Sequence, residues 1–540
     1  MSLSISNVIA DKLAAVSSVG IRNKIQDEMQ PFLELENFDG LAAETLFKNL
    51  KLSLSIAQHN PHVRLACEAF VAHYMETNPS QAAAAQKALD LSFANASSTN
   101  GKNLKKNIVK PTPISGFMEF MPEVQLHFDG LLADLRKLYS SHGFVPIDTP
   151  VVERLEVLAA KGGDVDKEIY AINRARATDD DNSDTSVALR YDLTVPLARY
   201  VAQHFNNITF PFKRFHIGSC FRGERPQDGR YRQFIQADID IINPDSVSLS
   251  FDADIPLIVN AALQLIGIKN YVFRISNRKI LSGYLEGLHI EDVQTATRIL
   301  DKIDKIGRDG VIAALDEELG LSTAKAEKVV KIASISCSDL SFVDQVLALG
   351  VTNTMLETGL KELKYVMERL QNSAQGSGKF MADLSITRGF DYYTGTVYEV
   401  KWNDHPQLGS IAAGGRYEDL AGSYIRKSLP GVGMSVGLSR IYGKLVQTGE
   451  VIISRKSPTD VLIVWENNID EKSLHVIGEK LRAKNINTEV YFKAEKIQKQ
   501  LAYANKKAIR YVVFPSLNEV KDLETEQQYA FDLETFTVAD

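Results

Sequence analysis

One short segment of the chain combines residue types suited to binding an anion and a small polar ring. Residues 388–395 read Arg-Gly-Phe-Asp-Tyr-Tyr-Thr-Gly and lead into a β-rich run at 396–400. The guanidinium of Arg388 offers a planar set of donors that neutralises developing negative charge. Tyr392 and Tyr393 provide flat walls that carry hydroxyls. Taken alone, the segment fits a strand–turn–strand hairpin with ordinary aromatic packing equally well.

A second segment, residues 221–234, is dense in arginine. Its four arginines are Arg222, Arg225, Arg230 and Arg232. Pro226 and Gly229 lie between them and demand a loop, so the pattern predicts a phosphate-binding hairpin. A solvated charged loop with salt-bridge partners is the alternative. The segment runs directly into an apolar strand that carries Asp238 and Asp240, and carboxylates in a buried strand need partners.

The elements that must position these residues are grouped strands between helices. Residues 123–140 have a broad apolar face and predict an amphipathic helix. Strand-like runs lie at 213–217, 234–242, 271–275, 381–386, 396–402 and 410–413. Because these strands show no regular alternation with helices, we expect a largely antiparallel sheet flanked by helices, an α+β fold.

Changes in sequence texture predict the domain organisation. Residues 1–95 have helical periodicity, through positions such as Leu46, Leu50, Leu52, Leu65 and Phe70, and predict a helical extension. Residues 96–111 have linker composition. The remaining predicted boundaries are a catalytic core at 112–276 and 377–450, a helical insertion at 277–376 and an α/β domain with parallel strands at 458–540.

Composition limits the class of protein. A chain of 540 residues, with 44% hydrophobic and 24% charged residues, has the make-up of a globular protein of about three or four domains. The net charge of −7 means that any nucleic acid would be bound by local basic patches. Cys67, Cys220 and Cys337 lie far apart without metal-ligand spacing, so we expect free thiols. The first 26 residues have no secretory pattern, and no apolar run is long enough for a membrane span. We therefore expect a cytoplasmic protein without membrane contact.

Five ordered motifs resemble those of the histidyl-tRNA synthetases, which are class II aminoacyl-tRNA synthetases. The segments 388–395 and 414–417 resemble the histidine signature, and 221–234 resembles the second class II motif. Residues 143–153 resemble the first motif, residues 431–440 the third, and residues 189–196 the amino-acid-binding loop. The match extends over roughly residues 112–515. The resemblance implies a class II antiparallel sheet, a C-terminal anticodon-binding-like domain and a homodimer formed through the first motif.

The resemblance also implies a role for individual residues. Arg222 and Arg388 would be catalytic, since they bridge the histidine carboxylate and the ATP α-phosphate. Histidine would be bound by Asp192, Leu193, Thr194, Arg222, Gln236, Asp240, Arg388, Tyr392 and Tyr393. ATP would be bound by Arg222, Glu224, Arg230, Phe234 and Arg440. Gln227 would contact the acceptor end of tRNA(His). Mg²⁺ is expected with the ATP phosphates, but the sequence assigns it no protein ligand.

Two observations leave alternatives open. Ser439 stands before Arg440 where the family often has Glu, so the sequence does not fix the orientation of that arginine. Basic residues gather at Lys493, Lys496, Lys499, Lys506, Lys507 and Arg510. They fit a solvated helix face or a tRNA contact. The implied function is histidine–tRNA ligase, and the alternative is a catalytically inactive paralogue that regulates histidine biosynthesis or senses tRNA.

Overall fold

The computed structural model describes residues 5–16, 18–33, 41–57, 60–97, 110–159, 168–173, 187–373, 379–386, 393–419, 421–422, 424–453 and 455–538. The chain divides into two compact units, Met1–Thr112 and Pro113–Asp540. Each unit has its own hydrophobic core.

The described part of the first unit is helical, as its periodicity predicts. Its helices are α1 (Ile5–Ala14), α2 (Val19–Leu33), α3 (Ala43–Asn49), α4 (Lys51–Ala57), α5 (Pro61–Thr77) and α6 (Ala82–Ser97). Leu46, Leu50 and Phe70 are buried in the core between them. Leu52 and Leu65 are exposed, because each lies on the outer face of its helix. The side chain of Asn60 accepts from the amides of His62 and Val63 and caps α5.

A nine-stranded sheet forms the centre of the described part of the second unit. In sheet order its strands are β1 (Val145–Pro146), β5 (Phe212–Phe221), β6 (Gln233–Ile242), β12 (Gly431–Gly437), β11 (Ser410–Tyr417), β10 (Tyr393–Trp402), β7 (Tyr271–Asn277), β9 (Phe380–Asp383) and β8 (Ser336–Cys337). The pairings from β5 through β7 are all antiparallel. The pairings β1–β5 and β7–β9 are parallel, and the edge pairing β9–β8 is antiparallel. The predicted antiparallel sheet is confirmed.

Helices and a small sheet surround these strands. The helices are α7 (Pro122–Ser141), α8 (Leu155–Ala159), α9 (Thr194–Gln203), α10 (Phe251–Ile266), α11 (Arg278–Gly287), α12 (Val293–Leu300), α13 (Ile303–Leu319), α14 (Thr323–Ile332), α15 (Phe342–Leu347), α16 (Thr354–Gln371) and α17 (Leu438–Gln447). The strands β2 (Val152–Arg154), β4 (Val187–Leu189) and β3 (Ala171–Ile172) form a separate sheet in that order. Among the described residues, no helix has the length and apolar character needed to cross a membrane.

The two faces of the large sheet differ in chemistry. Residues opposite one another on paired strands share a face. One face carries Phe215, Ile239 and Met434, which join the main hydrophobic core. The other carries Asp238 opposite both His216 and Ser435. The chain therefore builds a buried polar surface on one side of its central strands.

The segment predicted as a helical insertion shares its core with the sheet. Ile280 of α11 and Leu363 of α16 belong to the same hydrophobic cluster as Phe273 of β7. Strand β8 comes from within this segment and pairs with β9 at the sheet edge. Its helical character is thus as predicted, while the two-residue strand β8 was not.

The last part of the chain folds around a five-stranded sheet. Its elements are β13 (Val461–Ile463), α18 (Glu471–Ala483), β14 (Thr488–Val490), α19 (Ile497–Lys507), β15 (Tyr511–Phe514), β16 (Glu519–Asp522) and β17 (Gln528–Ala530). Strand β13 pairs in parallel with β14 and β15, as the alternation of strands and helices predicts. The pairings β15–β16 and β16–β17 are antiparallel. The turn after β15 is too short for a crossover, so the sheet is mixed rather than wholly parallel.

Candidate functional site

A cavity of about 540 Å³ lies on the polar face of the large sheet. Strands β6, β11 and β12 form its floor, and α9, α17 and the hairpin between β5 and β6 contribute to its walls. Of the residues predicted to bind substrates, nine line it: Asp192, Thr194, Arg222, Glu224, Arg230, Phe234, Gln236, Tyr393 and Arg440. Residues distant in sequence therefore meet at one site.

Three arginines gather at one end of the cavity, which we call the arginine end (Arg222, Arg230 and Arg440). Arg222 lies over the ring of Phe234, 5.0 Å from its centroid, and its Nε donates to the carbonyl of Tyr191 at 3.1 Å. Arg230 pairs with Glu224 at 3.0 Å. Burial, together with the charges of Arg230 and Arg222, lowers the pKa of Arg440. This end therefore has an excess of positive charge and favours an anion.

Backbone carbonyls fix the position of Arg440. Its Nε donates to the carbonyl of Gly229 at 2.9 Å, and its Nη1 donates to the carbonyl of Ser410. Gly229 has φ +68°, and an added Cβ would lie 2.4 Å from Leu408, so glycine is required there. Ser439 is buried, and its hydroxyl accepts from the amide of Ile235 at 2.8 Å. The arginine is thus oriented without a preceding Glu.

The opposite end of the cavity is acidic, and we call it the acidic end (Asp192, Thr194, Gln236 and Asp238). Asp192 and Thr194 lie where α9 begins, and Asp192 Oδ1 accepts from the amide of Val195 at 3.0 Å. This hydrogen bond holds the carboxylate in place. Tyr393, the first residue of β10, also lines the cavity.

Asp238 is a site residue that the sequence did not reveal. It is 2% exposed and lines the cavity beside Gln236, whose Nε2 donates to Ser435 Oγ at 2.5 Å. Among the described residues, neither Gln236 Oε1 nor Asp238 Oδ1 has a hydrogen-bond partner. Burial raises the pKa of Asp238 to about 7. Two buried acceptors thus belong to residues that line the cavity, and a ligand with N–H donors would supply their missing hydrogen bonds.

Asp240 lies outside the lining of this cavity. Its carboxylate pairs with the buried Arg214 at 2.5 Å and accepts from the hydroxyl of Tyr417 at 3.1 Å. Gly433 lies opposite it, and a Cβ there would come within 2.1 Å of Asp240 Oδ1. The glycine-rich third motif therefore leaves room for the side chain of Asp240. The structure places Asp240 outside the cavity lining, farther along the same face of β6 than Asp238, while its predicted contact with the substrate stays a prediction.

Comparisons with known proteins decide the family. A family model described as histidyl-tRNA synthetase matches residues 116–441. The histidine–tRNA ligase of Thermobifida fusca (strain YX) is 47% identical over 433 residues, covering 79% of this chain and 98% of the relative. The chain belongs to the histidyl-tRNA synthetase family.

Solved structures agree with this assignment. The crystal structure of histidyl-tRNA synthetase from Nostoc sp. PCC 7120 superposes with a TM-score of 0.68 at 34% identity, over 78% of this chain and 96% of that one. An ATP phosphoribosyltransferase regulatory subunit/histidyl-tRNA synthetase from Bacillus halodurans C shares the fold, with a TM-score of 0.61 at 18% identity, over 75% of this chain and 98% of that one. The family match starts at residue 116, just after the helical first unit ends.

Of the other predicted site residues of this synthetase-family chain, Leu193 and Gln227 do not line the cavity. Leu193 is fully buried ahead of α9 and does not line the cavity. Gln227 is exposed at the turn of the arginine-rich hairpin, where its carbonyl accepts from the amide of Arg230 at 2.8 Å. Arg388 and Tyr392 lie outside the described residues. Asp301, at the end of α12, lines the cavity and was not predicted.

The described residues hold no group of three or more His, Cys, Asp or Glu side chains arranged to bind a metal. Glu224 is the carboxylate that lines the cavity beside the arginines. A magnesium ion is commonly held by one or two carboxylates plus substrate phosphates. This donor set fits a magnesium ion that arrives with a nucleotide.

Proposed function

We propose that this chain is a histidine–tRNA ligase, which joins L-histidine to ATP and then transfers the histidyl group to tRNA(His). Membership of the histidyl-tRNA synthetase family supports this activity. The observation that best supports a working site is the charge separation within one cavity, with three arginines at one end and buried acceptors at the other. Adenylation needs this polarity, because it brings together a triphosphate and an amino acid that carries an ammonium group.

ATP would occupy the arginine end. Arg222 would bind the α-phosphate, while Arg230 and Arg440 would bind the outer phosphates. Phe234 would stack on the adenine, and Glu224 would accept from its amino group. Burial and the charges of Arg230 and Arg222 lower the pKa of Arg440. Bound phosphates would offset the repulsion among these arginines, which supports this placement. Magnesium bound with the phosphates would supply further charge neutralisation.

Histidine would occupy the acidic end. Asp192, Thr194 and Gln236 would receive the ammonium group, and Tyr393 would contact the imidazole. We propose that Asp238, rather than Asp240, presents its carboxyl oxygen to the imidazole N–H. Asp240 would support the site from farther along β6, where it orders Arg214 and Tyr417.

The first chemical step would be attack of the histidine carboxylate on the α-phosphorus. A carboxylate oxygen–phosphorus bond forms as the bond to the β-phosphate oxygen breaks, and pyrophosphate leaves. Arg222 and Arg388 would stabilise the negative charge that spreads over the α-phosphate oxygens. In the second step a terminal ribose hydroxyl of tRNA attacks the acyl carbon and AMP leaves. Holding both reactants in one cavity makes the first step effectively intramolecular.

Contact with tRNA would involve the exposed Gln227 at the acceptor end. The basic residues of the last domain support this role only in part, because several are paired with acids. Lys499 pairs with Glu495, Lys507 with Glu489 at 2.9 Å, and Arg510 with Asp522 at 3.2 Å. Lys496 and Lys506 are exposed, and they are the positions we propose for phosphate contact.

A homodimer is part of the same proposal. The segment that resembles the first motif exposes three valines: Val145 at 48%, Val151 at 38% and Val152 at 41%. A second copy would bury this apolar surface. A cytoplasmic location is also proposed, since Cys67, Cys220 and Cys337 are all free thiols, as a reducing compartment keeps them.

Histidine-dependent exchange between ATP and pyrophosphate tests the function. We expect exchange with histidine and not with other amino acids, followed by charging of tRNA(His). The rival is a catalytically inactive paralogue that regulates histidine biosynthesis or senses tRNA. Absence of exchange from folded protein supplied with magnesium would favour that rival.

A further inference from the structure

A buried arginine outside the cavity connects three parts of the second unit. Arg274 lies on β7, and its side chain is 12% exposed. Its Nε donates to Asp383 at 2.6 Å, its Nη1 to Glu399 at 2.7 Å, and its Nη2 to the hydroxyl of Ser385 at 2.7 Å. Register places Glu399 opposite both Arg274 and Ala413, and Ala413 lines the cavity. Arg274 therefore lies on the same polar face as the site, farther along the sheet.

The first connection leads toward the signature segment. Asp383 ends β9, and its Oδ1 accepts from both the amide and the hydroxyl of Ser385, at 3.1 and 2.7 Å. Arg274 holds the other oxygen of Asp383 and the same hydroxyl. The backbone is thereby fixed three residues before Arg388, which is proposed to act on the α-phosphate.

The second connection leads to the arginine end of the cavity. Glu399 uses one carboxylate oxygen for Arg274 and the other for the hydroxyl of Ser410. The carbonyl of Ser410 accepts from Arg440 Nη1. Arg274 is therefore linked, through Glu399 and Ser410, to an arginine proposed to bind the outer phosphates of ATP.

The third connection leads to the helical insertion. Asp304 of α13 accepts from Arg274 Nη1 at 3.3 Å and from Lys401 at 2.7 Å. Burial alone would lower the pKa of Arg274, but its bond to Asp383 and the nearby carboxylates outweigh burial and raise it. The arginine thus remains charged and keeps all three connections.

We propose that Arg274 is a positioning residue for adenylation, which sets the start of the signature segment and the strand that carries the Arg440 contact. This inference rests on the proposed ligase function. Buried ion pairs contribute little net stability compared with a well-packed apolar core. The guanidinium of Arg274 instead fixes the relative positions of the elements that lead to the site. A displacement of a reacting group by about 1 Å lowers the rate on the order of a hundredfold.

Single-connection variants test this proposal without unfolding the protein. Ser385→Ala removes the two hydroxyl bonds of the connection to the signature segment and keeps the amide bond to Asp383. We expect kcat for pyrophosphate exchange to fall on the order of tenfold with KM for ATP unchanged. Ser410→Ala removes the hydroxyl bond to Glu399 while keeping the carbonyl, and we expect KM for ATP to rise by roughly threefold to tenfold with KM for histidine unchanged. Ser373→Ala, whose hydroxyl donates to the Leu370 carbonyl, serves as the matched control.

The insertion connection is tested by Asp304→Asn, with Asp309→Asn on the same helix as its control. We expect Asp304→Asn to reduce exchange by a few-fold and Asp309→Asn to leave it unchanged. Arg274→Lys keeps the charge but loses the fork, so a folded variant should show both kinetic defects together.

The outcomes separate the two proposals. If the unaltered protein lacks exchange activity, the proposed function fails. If it is active, and Ser385→Ala and Ser410→Ala lower the melting temperature while both KM values and kcat match those of Ser373→Ala, Arg274 has only a structural role and the inference is overturned. A lower kcat in Ser385→Ala together with a higher KM for ATP in Ser410→Ala supports the inference.

Discussion

The arginine end and the acidic end of the cavity are built in different ways. Arg230 lies on a hairpin and is 51% exposed, whereas Asp238 lies within a central strand and is 2% exposed. The arginines are held mainly by backbone carbonyls and by Glu224. At the acidic end, Asp238 lies between paired strands with fixed register.

This difference fits the demands of the two substrates. A triphosphate is large and highly charged, so arginines on a hairpin can bind it mainly through electrostatic attraction. Selection of one amino acid needs hydrogen-bond acceptors at fixed positions. If another ligand lacks the matching N–H group, the buried acceptors of the site stay unpaired, and this weakens its binding. We therefore expect variants at the arginine end to affect mainly the rate of adenylation or KM for ATP, and variants at or beside the acidic end to affect mainly histidine binding or stability.

The largest effect should follow Arg222→Ala at the arginine end. Loss of a preorganised donor to the α-phosphate should lower the rate of adenylation on the order of a hundredfold to a thousandfold. Single-turnover formation of histidyl-adenylate measures it. Arg225→Ala lies on the same hairpin but does not line the cavity, so it should stay within a few-fold of the unaltered protein. Equal losses in both variants would show that the hairpin acts through general charge.

Asp240→Asn, farther along β6 from the acidic end, should affect mainly stability. Arg214 is fully buried and pairs with Asp240, so neutralising one partner leaves a buried charge uncompensated. Breaking such a pair costs about 3–5 kcal/mol. Urea unfolding at about pH 8, above the ordinary pKa of a carboxyl group, measures it. A variant as stable as the unaltered protein would show that the pair does not support the fold.

Asp238→Asn should affect histidine binding instead. The carboxylate oxygen without a partner would lose its charge-assisted bond to the imidazole, and bonds of this kind contribute about 1.5–3 kcal/mol. We expect KM for histidine to rise by roughly tenfold to a hundredfold, with KM for ATP within twofold. An unchanged KM for histidine would remove Asp238 from the substrate site and return the role to Asp240.

The same variant should change how stability depends on pH. Burial raises the pKa of Asp238 from 3.8 to about 7, so between these values the folded protein binds more protons than the unfolded chain. Stability then falls as pH rises through this window and the difference is constant above it. Asn has no such titration. The melting temperature of Asp238→Asn, relative to the unaltered protein, should therefore increase from about pH 4 to about pH 7 and then level off. A difference that is the same at every pH would contradict the buried ionisation.

Two of the three arginines at the arginine end, Arg222 and Arg230, could be predicted from one motif because they are close together in the chain, whereas Arg440 comes from the separate third motif. The motif at 221–234 brings its arginines to one hairpin without any knowledge of distant contacts. The alternation of Gln236, Asp238 and Asp240 also predicts a shared face. The sequence does not show which of Asp238 and Asp240 lines the cavity. Arg214, on the neighbouring strand, forms an ion pair with Asp240. That register is a tertiary property.

The same reasoning explains the other residues that the sequence did not reveal. Arg274 has partners at residues 304, 383, 385 and 399, so no local motif marks it. Asp301 reaches the cavity from the insertion, whose periodicity predicts helices but not their packing. The predicted antiparallel sheet and helices are confirmed, since hydrophobic period and turn residues specify them locally.

The smallest effect should follow Ser439→Ala, beside the arginine end. The Ser439 hydroxyl accepts from the amide of Ile235, so alanine leaves a partly buried donor without its partner. We expect a stability loss of about 1 kcal/mol. Arg440 keeps its bonds to the carbonyls of Gly229 and Ser410, so KM for ATP should stay within twofold. Arg440→Lys is the contrasting variant, because an ammonium loses the planar fork that reaches both carbonyls, and its KM for ATP should rise clearly more. If Ser439→Ala raised KM for ATP as much as Arg440→Lys, orientation of the arginine would depend on the residue before it. The carbonyls would then be only secondary supports, and the arginine end would be as finely positioned as the acidic end.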